Sequence, residues 1–126
     1  MEKRMNKEEL LELIKSLKLD SDDFCLLSTS ALVLRGLFDS AGDLDIAVTE
    51  KGLEELKKNY DLKQKPNGFY IVSDKVECVL NAMEGKSEKC GEYRVQSLTN
   101  YFEYLEETKR EKDKLKYEIV KKELGI

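Results

Sequence analysis

The stretch SALVLRGLF, residues 30–38, is apolar nearly all round. As a helix it would have no face to offer water, so it predicts a buried helix ended near Gly36 or just after. Ahead of it lies FCLL (24–27), a short apolar run that reads as a buried strand. Beyond it, past the break DSAG (39–42), comes DLDIAVT. There Leu44, Ile46 and Val48 fall on one face while Asp43, Asp45 and Ala47 fall on the other, which is the period of a strand.

The rest of the chain adds helices and strands in mixed order. NKEELLELIKSLKL spaces Leu10, Leu13, Ile14 and Leu17 by threes and fours, predicting a one-faced helix. Asn6 is its N-cap, with Glu9 placed to complete a capping box. DSDD (20–23) predicts a turn and KGLEELKKNY a short amphipathic helix. KPNG (65–68) holds the only proline and an Asn-Gly pair, a hairpin signal. FYIVS and KVECVLN read as strands about a tight turn at Ser73-Asp74, and GEYRVQS as one more. Ser97 predicts the N-cap of LTNYFEYLEETK; KDKLKYEIVKKEL follows with no glycine or proline between, leaving open one helix or two. The order predicts an α+β fold, a mixed β-sheet flanked by helices with a helical C-terminus. The 126 residues suit a single domain over 1–126, with a core α/β part over 1–97 and a helical segment over 98–126.

Composition removes several kinds of chemistry. The chain has no histidine, which excludes Ser-His-Asp and Cys-His catalysis, histidine-ligated zinc and a histidine base. Catalysis is left to carboxylates, lysine, tyrosine, cysteine or a hard cation bound through oxygen. A net charge of −4 argues against a dedicated nucleic-acid binder. Cys25, Cys78 and Cys90 are odd in number and lack CxxC spacing, so they read as reduced thiols of a cytoplasmic protein, with Cys25 and Cys78 in buried strands. No apolar run has the length of a membrane span, and MEKRMNKEEL lacks the apolar stretch of a signal peptide.

Asp43 and Asp45, two residues apart on one strand face, stand about 6.5–7 Å apart at the backbone. Carboxylates so placed can converge on Mg²⁺, which takes oxygen ligands, keeps several waters and shares its shell with substrate phosphates. Glu77, inside the otherwise apolar KVECVLN, is a third carboxylate; its alternative is an edge-strand position facing water. Phosphates also need a cradle. Ser28, Thr29 and Ser30 fall where FCLL gives way to the buried helix, and a helix start supplies free amides and the positive end of its dipole. Helix capping is the plainer role for Ser30. Arg35, Lys109, Arg110 and Lys112 are cations that either approach such a site or decorate solvated helix faces.

A small-residue turn ending in serine, an apolar helix carrying Arg-Gly and a strand bearing Asp-x-Asp together resemble the nucleotidyltransferase superfamily, the DNA-polymerase-β-like fold in its minimal bacterial form. LLSTSALVLRG and GDLDI carry the resemblance, and REKDKLKYEIVKKEL resembles the family's Arg-x-Lys-Asp tail. It spans roughly residues 24–122, with the first motif the specific part. The resemblance implies transfer of a nucleoside monophosphate from an NTP to a hydroxyl, with Mg²⁺ or Mn²⁺. It implies Asp43, Asp45 and Glu77 as catalytic, metal-holding acids, and Ser28, Thr29 and Ser30 as the triphosphate site. The implied acceptor is a partner protein, an RNA or a small molecule held at an oligomer interface such as a homodimer's. Minimal members act in toxin–antitoxin systems or on antibiotics. Thr29 stands where the family places glycine, and Glu77 where it more often places aspartate. Those departures favour the alternative, a degenerate non-catalytic relative that binds a nucleotide or a partner as an antitoxin-like module. A third reading is an interaction protein dimerising through its C-terminal helices.

Overall fold

In the computed structural model, which describes residues 4–126, α1 (Lys7–Ser16) begins at Asn6 with the expected capping box. The Asn6 side chain accepts from the Glu9 amide, and Glu9 accepts from the Asn6 amide. A 3-10 turn, Ser21–Asp23, leads into β1 (Phe24–Leu26), all of it buried. Helix α2 (Ser28–Arg35) follows directly and ends at Gly36, whose φ of +80° is a left-handed cap that glycine adopts without a Cβ clash. Next come β2 (Leu44–Val48) and α3 (Glu50–Asn59), the latter capped by Thr49. β3 (Lys63–Gln64) and β4 (Tyr70–Ile71) form the hairpin signalled by KPNG. β5 (Val76–Leu80), β6 (Ser87–Cys90) and β7 (Tyr93–Gln96) complete the strands.

The seven strands form one mixed sheet in the order β3-β4-β5-β2-β1-β7-β6. β2 runs parallel to β5 and β1 parallel to β7; the other neighbours are antiparallel. One sheet face, bearing Leu26, Leu44, Ile46, Val48, Val76 and Cys78, packs against Leu10 and Ile14 of α1, Val33 and Leu34 of α2, and Leu53 and Leu56 of α3. The other face carries a smaller apolar cluster, Cys25, Leu27, Ala47 and Met83 with Phe69 and Val79 against it. That face is where the acids stand.

Helices α4 (Leu98–Thr108) and α5 (Lys114–Leu124) pack on α2 from the side away from the sheet core. Leu32 joins Tyr101, Leu105 and Val120 in that second cluster, while Ala31, Val33 and Leu34 belong to the first. Helix α2 is thus wedged between two apolar layers, which is why its sequence is apolar nearly all round.

Two features went beyond the sequence pattern. Ser87–Cys90, to which the sequence pattern assigns no element, pairs with β7 as an edge strand; edge strands tolerate and use such charges. The tail is two helices. Lys109 takes a left-handed conformation at φ +46° and the 3-10 turn Glu111–Asp113 follows, so the break forms without glycine or proline.

Candidate active site

The β2–β5 pairing sets Asp45 directly opposite Glu77, and in a parallel pair such partners project to the same face. Asp43, two residues before Asp45, faces the same way. The three acids foreseen in the sequence therefore share the less covered side of the sheet without converging on one point. Asp43 and Asp45 line an open cleft of about 1620 Å³ between that face and the C-terminal helices. Glu77 stands beside the cleft and is held by Lys65, whose Nζ lies 3.0 and 3.2 Å from its two carboxylate oxygens.

Crowding leaves its mark on Asp45. Burial, followed by the charges of Glu77 and Asp43, pushes its carboxyl from the ordinary 3.8 up to about 6, against a smaller opposing pull from Lys65. The ionised Asp45 carboxylate is thus held where burial and its two neighbouring acids disfavour its charge. A divalent cation would relieve this directly, and two carboxylates suit Mg²⁺, which fills the remaining positions with water and phosphate oxygen. Among the described residues, no three His, Cys, Asp or Glu side chains converge tightly enough to form a three-ligand centre. Asp43 and Asp45 are the two carboxylates left on the cleft that could hold a cation, with Glu77 kept to one side by Lys65.

The junction residues take three different jobs. Ser30 is 1% exposed; its Oγ donates to the Asp43 carbonyl at 3.1 Å and accepts from the Asp45 amide at 3.3 Å. It stitches α2 to the acid-bearing strand, so its effect on the site is to fix the two aspartates. Ser28 sits at φ +51°, and its amide donates to Gln96 Oε1 at 2.9 Å. Gln96 in turn donates to Asn100 Oδ1 at 2.7 Å, tying the junction to α4. The left-handed position is therefore Ser28, one residue before Thr29. Thr29 Oγ1 accepts from Lys116 Nζ at 2.7 Å and also bonds the Tyr101 hydroxyl. Its side chain links the first turn of α2 to both C-terminal helices.

Several contributors were not visible in the sequence. Lys65 meets Glu77 only because the β3–β4 hairpin folds over β5. Arg4 donates to Ser40 Oγ and to the Ser40 carbonyl, both at 2.8 Å, fixing the loop before Asp43 and bringing a cation to the cleft. Arg110 and Lys112 line the cleft as well, whereas Arg35 turns away to pair with Glu88 and the Gln96 carbonyl. Asp113, at the start of α5, is 2% exposed and receives Arg110 Nε at 2.7 Å. Among the described residues no helix is long and apolar enough to cross a membrane. No protein-family model matches the chain, and comparison with curated proteins and with solved structures gave no match either.

Proposed function

We propose that the protein is a minimal nucleotidyltransferase, moving a nucleoside monophosphate from an NTP to a hydroxyl acceptor with a divalent cation at Asp43 and Asp45. The observation that carries the reading is the pairing of two cleft-facing aspartates, Asp45 partly buried beside Glu77, with a strand-to-helix junction on the same cleft. When bound, Mg²⁺ supplies Lewis-acid stabilisation of charge on the phosphoryl oxygens. In the transfer, the acceptor oxygen bonds to the α-phosphorus, the bridging α–β bond breaks, pyrophosphate leaves, and the hydroxyl proton passes to base or solvent. The protein's own part is positional. Ser30 fixes the aspartate backbone, the first turn of α2 offers amides to the phosphates, and Glu77 sets the field beside Asp45.

One observation favours the second reading, a binding module without turnover: Lys65 occupies Glu77, leaving two acids rather than three to hold a cation. Incubation with each NTP labelled at the α- or γ-phosphate, with Mg²⁺ and a cell extract, separates the two. Transfer of α-label but not γ-label, lost in Asp43→Asn/Asp45→Asn, is expected. Nucleotide binding with no transferred label would leave the binding module.

A further inference from the structure

Lys116 is the least expected member of the cleft wall. It lies in the first turn of α5, yet its Nζ reaches across to Thr29 Oγ1 at 2.7 Å, in the first turn of α2. Its Nζ lies over the Phe38 ring, 5.8 Å from the centroid, and its side chain is only 18% exposed. An ammonium held so firmly has given up the rotamer freedom that lysine normally keeps on a surface.

Lys116 also pairs with Asp113, but that contact is not its shortest. Asp113 Oδ2 already accepts from Arg110 Nε at 2.7 Å. Its Oδ1 is buried and accepts no hydrogen bond, and Lys116 Nζ stands 3.4 Å from it. The shortest contact of the ammonium is thus to a neutral hydroxyl. Lys116 is stretched toward the junction, with Asp113 behind it as an anchor. Arg110, Lys112 and Lys116 bring three cations to this end of the cleft, where Glu103, Glu107 and Asp113 also line it, and of the three Lys116 is the one in contact with the first turn of α2. The negative aspartates line the same cleft from the sheet. Lysine carries three N–H donors, so the bond to Thr29 leaves it able to bind an anion at the helix start.

We propose that Lys116 is a phosphate-binding residue of the cleft, taking the polyphosphate of its ligand beside the first turn of α2, with Asp113 as its positioning residue. The inference rests on the nucleotidyltransferase reading for the identity of the ligand as an NTP. It also accounts for Thr29: the hydroxyl that glycine lacks is what meets the lysine and Tyr101.

The test measures binding of inorganic tripolyphosphate, of the four NTPs and of the matching NMPs, all with Mg²⁺, to wild type, Lys116→Met and Lys116→Arg. Lys116→Met should weaken tripolyphosphate and NTP binding by about tenfold or more, the scale of one lost charge-assisted bond. NMP affinity should change far less, because a single phosphate need not reach the lysine. Lys116→Arg should restore most of the loss, and Asp113→Asn should weaken polyphosphates without erasing binding. A purely structural lysine would instead lower the thermal midpoint of the free protein and leave the preference for polyphosphate over monophosphate unchanged. Unaltered polyphosphate affinity in a folded Lys116→Met, or a wild type indifferent to tripolyphosphate, overturns the inference. Tripolyphosphate binding that depends on Lys116, with NTPs binding no better and Asp43→Asn/Asp45→Asn without effect, upholds it and refutes the nucleotidyltransferase reading.

Discussion

Asp45→Asn should stabilise the cation-free protein, because the wild-type carboxylate is held where its charge is unwelcome. The folded-state carboxyl titrates at about 6 against an ordinary 3.8, chiefly through burial and the nearby Glu77 and Asp43 charges. The folded protein therefore binds this proton more tightly than the unfolded chain does. The sign follows from linkage: the stabilising contribution is complete below the unfolded value near 4 and is lost as pH rises through about 6. About two pH units correspond to about 3 kcal/mol, and partial access of water to the carboxylate trims this to about 2 kcal/mol. Asparagine keeps the shape and removes the charge, while the Asp45 amide bond to Ser30 is a backbone interaction that survives. Denaturant melts in a chelator at pH 8 should show the variant more stable by about 2 kcal/mol, a rise in Tm of roughly 5–10 °C. At pH 4 the two proteins should be nearly equal. A variant less stable than wild type at pH 8, or a gain that persists unchanged at pH 4, would refute the reasoning.

Lys65→Met leaves Glu77 without its cation beside Asp45, so stability at pH 7 should fall by about 1 kcal/mol, and an NMR titration should place the Asp45 midpoint higher than in wild type. Gly52→Ala should cost about 2 kcal/mol or more in denaturant melts, since a Cβ there would lie 2.7 Å from the Asp23 carbonyl oxygen, a backbone atom that cannot step aside cheaply. Ser28→Gly should raise stability by about 1 kcal/mol, because φ +51° strains an L-residue; a loss measured the same way would show that the strain is absent.

What could be read from the sequence was what depends on local pattern. Alternation in DLDIAVT sorted Leu44, Ile46 and Val48 from Asp43, Asp45 and Ala47, and the sheet sorts them the same way. Asn6, Ser97 and Gly36 marked helix ends because caps are short-range chemistry. Register across strands is not local. Glu77 stood out as a carboxylate in an apolar run, and its neighbour Asp45 is supplied only by the β2–β5 pairing. Lys65 and Lys116 were hidden more deeply. Each reaches its partner across a distance in sequence that no spacing rule addresses, 12 residues to Glu77 and 87 to Thr29. One helix or two stayed open at Lys109, since a left-handed break is usually marked by glycine or asparagine. The strand Ser87–Cys90 was invisible because a charged edge strand resembles a loop in hydropathy.

The central claim is that Asp43 and Asp45 hold a cation that a nucleoside triphosphate shares. Calorimetric titration of ATP, GTP, CTP and UTP onto wild type and Asp43→Asn/Asp45→Asn, each with Mg²⁺ or with chelator, tests it most directly. The account predicts binding of at least one NTP by the wild type, requiring Mg²⁺ and lost in the double variant. No binding by any NTP, or binding indifferent to both the metal and the two aspartates, would contradict it.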